Sequence, residues 1–213
     1  MEIEADTKES KRSLGTSDFT SEKEKHSVWL EKKSFRIALV STFTAIAIVL
    51  GYMLAILPNI ELFTLTIFLS GFILGKRDGM IVGLISTPIF TFFNPFGASP
   101  LPLFFYQLIH YTLTGLSGAL TRNFFEKKEY FPTNEDLYNI RVMVILGATG
   151  VIITISFQLI STIVSALIQY GTIKGFLPTF LFGIPFTITH IIGNTLAFIF
   201  ILPGLIQLVH KLL

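Results

Sequence analysis

Long apolar stretches constrain this chain more than any other feature. The one from Ile140 to Tyr170 holds a single charged residue, Arg141. A run of that length exceeds what a buried strand or a soluble core helix needs, and it calls for an apolar solvent. Only 14% of the residues are charged, against roughly 25% in soluble domains, so no charged surface can be assembled around it. In lipid each backbone N–H and C=O must be satisfied within its own segment. The expected fold class is therefore all-α, a polytopic membrane protein with a bundle of six transmembrane helices.

The six segments are 35–57, 60–75, 79–93, 101–121, 140–170 and 184–209. Segments two and three reach only roughly 22–24 Å at 1.5 Å per residue, short of a full hydrocarbon core. Four spans with a half-membrane hairpin therefore stand beside the six-span reading. Lys76, Arg77 and Asp78 form a charged turn between the second and third segments, and 122–139 is a polar loop. The stretch 171–183, marked by Gly and Pro, is expected to precede the sixth helix. Residues 1–33 read as a disordered cytoplasmic tail with seven basic and eight acidic residues, and 34–213 as the transmembrane domain. The first 33 residues hold no apolar core of a cleavable signal, so the first apolar run is expected to act as the insertion signal. Trp29 is the expected interfacial anchor.

Charge fixes the expected orientation. With the N-terminus inside, fifteen of the sixteen Lys and Arg residues fall on the cytoplasmic side, and only Lys174 falls outside. Both termini are expected in the cytoplasm of a multi-pass cell-membrane protein. The basic residues are scattered and the net charge is only +2, which argues against a nucleic-acid partner. The absence of cysteine excludes disulfides, thiolate metal sites and a cysteine nucleophile. No His, Asp and Glu cluster has metal-ligand spacing, so no metal is expected.

Polar side chains in lipid are costly, so the faces that carry them are informative. On segment five, Thr154, Gln158, Ser161, Thr162, Ser165 and Gln169 share one narrow sector at 100° per residue. Segment four places Gln107, His110, Tyr111 and Thr114 on one face, and segment six places Thr187, His190 and Asn194. Asn59 and Glu61 open segment two, and Asn94 lies in an uncharged loop rich in Pro and Gly. These groups converge on one outward-facing volume, which reads as a small-molecule pocket with aromatic walls. The expected substrate-binding residues are Asn59, Glu61, Asn94, Gln107, Tyr111, Gln158, Ser161, Thr162, Gln169, Thr187, His190 and Asn194. Hydroxyls and amides in membrane helices also serve helix–helix contacts, and that alternative stands beside the pocket for Thr154, Ser161, Thr162, Ser165, Gln158, His190 and Asn194, as a solvated interfacial carboxylate does for Glu61. His110 reads best as a core histidine.

Two apparent motifs carry no chemistry. Gly71 to Arg77 has the look of a phosphate loop, but one residue is missing between the glycines and Arg77 replaces the Ser or Thr that would hold Mg²⁺. Ser117 and His190, each beside glycines, are similar to the nucleophile and base of rhomboid intramembrane proteases. Regular helix rise places them roughly 24 Å and 9 Å below the outer surface, too far apart to react. No catalytic residue and no enzyme activity is expected.

The order Pro58, Asn59, Glu61, then Gly71, Gly75, Gly79 and Gly83, then Asn94, Pro95, Gly97 and Gln107 resembles the substrate-binding S components of energy-coupling-factor (ECF) transporters. The ending Pro185, His190, Gly193, Asn194 and Pro203 is similar to their last helix. The resemblance covers about residues 34–211. It implies a six-helix bundle that captures a vitamin or related micronutrient from outside. It also implies docking on an ECF transmembrane scaffold subunit with two ATPase subunits, which hydrolyse ATP, so the chain itself needs no cofactor. The family docks through an Ala-xxx-Ala pattern on its first helix. Ala38, Ser41 and Ala45 are the nearest matches, with Ser in place of one Ala. A stand-alone secondary transporter is the alternative, for which only His110 and His190 offer titratable groups near mid-membrane.

Overall fold

The computed structural model describes residues 32–54, 57, 59–94, 97–128 and 137–212. The tail through residue 31, which includes Trp29, together with Pro58, Pro95, Phe96 and residues 129–136 of the 122–139 loop, lies outside the described residues. Two compact units are distinguished, one of Met1–Leu39 with Leu213 and one of Val40–Leu212. The described part of the first is the opening of a single helix; the bundle discussed below belongs to the second.

Every regular element among the described residues is helical. They are α1 (Lys33–Met53), α2 (Phe63–Leu74), α3 (Lys76–Phe92), α4 (Leu101–Lys127), α5 (Ile140–Tyr170), a 3-10 turn (Ile173–Gly175), α6 (Phe176–Leu196), a π turn (Ala197–Ile201) and α7 (Leu202–Leu212). Among the described residues, three runs are long and apolar enough to cross a membrane: Lys33–Met53, Ile140–Tyr170 and Ile173–Leu212. Helix α2 has 12 residues, about 18 Å, against a hydrocarbon core of about 30 Å. Helix α4 has the length but is diluted by Gln107, His110, Tyr111 and Thr114.

Helix α2 explains its own shortness. Every residue from Phe63 to Ile73 is buried, so it is enclosed on all sides rather than laid against one face. Two of its three hydroxyls turn to backbone: Thr66 donates to the Leu62 carbonyl at 2.7 Å and Ser70 to the Ile67 carbonyl at 2.7 Å. Arg122 donates to the Ile73 carbonyl at 3.0 Å, satisfying one of the orphan acceptors at the C-terminus of α2. The crossing with α3 and α4 is made by glycine. A methyl on Gly71 would overlap the Gly115 carbonyl, and one on Gly115 would overlap the Gly79 carbonyl. The supposed phosphate loop is thus a backbone-to-backbone crossing.

Several boundaries differ from the sequence expectation. The charged residues Lys76, Arg77 and Asp78 form the first turn of α3 instead of a turn before it. Gly75 alone separates α2 from α3, at φ +91° and ψ −179°, a conformation open in practice only to glycine. Helix α4 continues to Lys127 rather than ending at Thr121. The last helical run starts near Phe176 rather than Ile184, because Pro178 sits in a first turn where its missing N–H costs nothing. Helix α5 keeps its expected limits. Asn139 caps it by accepting from the Arg141 amide at 3.0 Å, and Gly171 ends it at φ +66°.

The exterior is strongly apolar. Phe182 is 83% exposed and Phe93 75%, and rows of exposed Ile and Leu run along α4, α5 and α6. Isolated exposed apolar residues are ordinary, but rows of them make the surface expected of a bundle among acyl chains.

Candidate functional site

A cavity of about 450 Å³ opens at the end of the bundle where α1 joins α2, α3 joins α4, and α5 joins α6. That size suits a small organic solute. Its polar wall comes from Asn59, Glu61, Asn94, Gln107, Tyr111 and His190. Gly51, Phe90, Phe157 and Phe186 supply much of the apolar remainder.

Local geometry places these groups. Asn59 adopts φ +58°, the left-handed region that asparagine tolerates better than most residues. Its amide donates to the Phe186 carbonyl at 2.9 Å, fastening the connection before α2 to α6 at the cavity mouth. Glu61 follows two residues later. Its Oε1 accepts from the Thr64 hydroxyl at 2.5 Å and stands 3.5 Å from His190 Nε2. On the other side of the ring, Gln158 Nε2 lies 3.1 Å from His190 Nδ1. An amide nitrogen only donates, so Nδ1 accepts, and the neutral ring carries its hydrogen on Nε2. That nitrogen is buried and has no hydrogen-bond partner.

Aromatic rings frame the polar group. Phe90 stacks on Phe63 with centroids 4.1 Å apart, and Phe63 meets Tyr111 edge-on at 4.8 Å. Phe157 packs against Tyr111 at 5.8 Å and His190 at 5.9 Å. Tyr52 donates to the Ile89 carbonyl at 2.7 Å, joining the end of α1 to α3 beside this wall.

The expected site residues divide into those at the cavity and those beside it. Gln158 is one step behind the wall, holding His190. Asn194 is buried and donates to the Thr154 hydroxyl at 3.0 Å, which itself donates to the Gly150 carbonyl at 2.8 Å. Ser161 and Thr162 donate to the Gln158 carbonyl at 3.2 Å and 2.6 Å, so their hydroxyls serve their own helix. Thr187 is half-buried and Gln169 exposed, and neither lines the cavity. His110 is buried among the rings of Tyr106, Tyr111 and Phe157. Ala38, Ser41 and Ala45 are all exposed on α1. Gly51, Phe90, Phe157 and Phe186 were not expected at the cavity from the sequence.

The depth estimate for Ser117 and His190 needs correction. With the last helical run starting at Phe176, His190 lies about 21 Å along it, close to the depth of Ser117. What separates the pair is its partners. Ser117 donates to the Thr114 carbonyl at 2.7 Å, while the two nitrogens of His190 face Gln158 and Glu61.

No known protein family, characterised protein or solved structure matches this chain. Its chemistry is read from the cavity wall.

The hydrogen bond from Asn59 gives a direct test. Asn59→Gly removes the bond while keeping a residue at ease with positive φ, whereas Asn59→Ala also imposes left-handed strain of roughly 1–2 kcal/mol. Chemical unfolding should therefore rank wild type above Asn59→Gly and Asn59→Gly above Asn59→Ala.

Proposed function

We propose that this chain is the membrane-embedded substrate-capture subunit of an ATP-driven importer of the ECF type, taking up a vitamin-like micronutrient. The observation that carries this reading is the cavity, in which Glu61, His190, Gln107 and Asn59 face one volume walled by aromatic rings. Helices α1 to α5 and the long run Ile173–Leu212 would supply the six crossings, with α2 enclosed at the centre. Fifteen of the sixteen Lys and Arg residues would then lie on the cytoplasmic side, with both termini, and the cavity would open outward. The small exposed residues Ala38, Ser41 and Ala45 would meet the scaffold subunit, whose two ATPase subunits supply the energy.

A second reading is favoured by one observation. Glu61 and His190, 3.5 Å apart beside the cavity, form the kind of titratable pair that a proton-coupled secondary transporter uses. Reconstitution separates the two. The importer reading expects purified protein to release a small solute on denaturation, detectable by mass spectrometry. It also expects vesicle uptake of that solute only with ATP and an ATPase-bearing partner. Uptake by the chain alone under a proton gradient would replace it with the second reading.

A further inference from the structure

We propose that Glu61 and His190 read a lactam edge, an N–H beside a C=O on a flat, neutral heteroaromatic ring, as the recognition element of the captured solute. This rests on the cavity being the solute site. His190 is 5% exposed, and its Nε2 has no hydrogen-bond partner although its Nδ1 is engaged by Gln158. A buried donor without a hydrogen bond is costly, and a partner oxygen supplied by the solute relieves that cost. Glu61 is the neighbouring acceptor, its nearest oxygen 3.5 Å from the same nitrogen. Donor and acceptor therefore stand side by side at one point of the wall.

That pairing is selective. A carboxylate or phosphate would accept from His190 but would bring a second negative charge against Glu61. An ammonium or amidinium would satisfy Glu61 but would set another donor against the Nε2 hydrogen. Only an edge that offers one donor next to one acceptor satisfies both at once. The walls agree with a planar ring: Tyr111, Phe157, Phe90 and Phe186 line the same volume, and aromatic faces favour offset or edge-on ring partners.

Fragment binding to the purified full chain in lipid nanodiscs tests the assignment. The probes are quinazolin-4(3H)-one, which carries the lactam edge, its 3-methyl derivative, which lacks the N–H, and naphthalene-1-carboxylate. Ligand-observed NMR is expected to show quinazolinone binding at least tenfold more tightly than the methyl derivative, with the carboxylate weakest. In Glu61→Leu the methylation penalty should fall below threefold, because the acceptor that detects the N–H is gone. Equal binding of the two quinazolinones to wild type overturns the proposal. So does a preference for the carboxylate, or no binding of quinazolinone at millimolar concentration. The wild-type comparison decides alone if Glu61→Leu does not fold. Failure of the importer reading shows in a different measurement, the ATP dependence of uptake, which does not alter the ranking of fragments.

Discussion

Gly71→Val is expected to destabilise the folded bundle severely, shifting the protein from a monodisperse species towards aggregated or protease-sensitive material. The first carbon of any side chain at this position would overlap the Gly115 carbonyl on α4. The obstacle is backbone in the middle of a helix, so it cannot rotate away as a side chain would. The crossing is reciprocal, because Gly115 meets the Gly79 carbonyl and Gly79 meets the Gly71 backbone. One substitution therefore forces α2 from α4 at a point where α3 crosses both. Overpacking ordinarily costs about 1–3 kcal/mol, and with no side chain to yield the cost here should reach the top of that range or exceed it. Against a total stability of roughly 5–15 kcal/mol, that is a large share. Gly183→Ala is the control. It lies in α6 with nothing within 4 Å of the added carbon, and better helix propensity should stabilise it by up to about 1 kcal/mol. A Gly71→Val protein with wild-type yield and melting behaviour would show that the helices do not cross here.

How much of this was legible beforehand depended on whether a residue type is rare or common in this chain. Asn139, beside a change from polar to apolar sequence, marked the start of α5, and Gly171 marked its end. The start of α6 was hidden, because Gly171, Gly175, Pro178, Gly183 and Pro185 together look like a broken segment. Pro178 falls in a first turn, and Pro185 sits inside a helix that continues through it. Burial of α2 on every side was also invisible, since an apolar helix reads alike whether it faces lipid or protein. At the site, polar residues are scarce enough in the apolar segments to stand out, and Glu61, Gln107 and His190 do line the cavity. Phe90, Phe157 and Phe186 could not be separated from the rest of the 22 phenylalanines. Periodicity put Ser161 and Thr162 in one sector of α5 with Gln158. It could not tell that their hydroxyls bond to the Gln158 carbonyl one turn back.

Gly51→Leu should have the opposite outcome to Gly71→Val: a folded protein that no longer holds solute. Gly51 is buried at the cavity wall, and its nearest obstacles are side chains, with Phe90 Cε2 2.7 Å and Phe63 Cβ 3.3 Å from an added Cβ. The Phe90 ring is stacked against Phe63 on one side and Tyr52 on another, at centroid distances of 4.1 Å and 5.5 Å. The direction left open to it is the cavity. A leucine at position 51 would push the ring inward and follow it, removing volume from a space of about 450 Å³. The fold has room to absorb this, so the stability loss should stay within about 1–3 kcal/mol. Solute affinity should fall at least a hundredfold, since a rigid ring that cannot enter forfeits its contacts together. The measurement is co-purified solute per folded protein, with thermal unfolding recorded on the same sample. Retained solute in folded Gly51→Leu would move the binding site away from the wall that Gly51, Phe90 and Tyr111 form, and with it the assignment of Glu61 and His190 as its polar contacts.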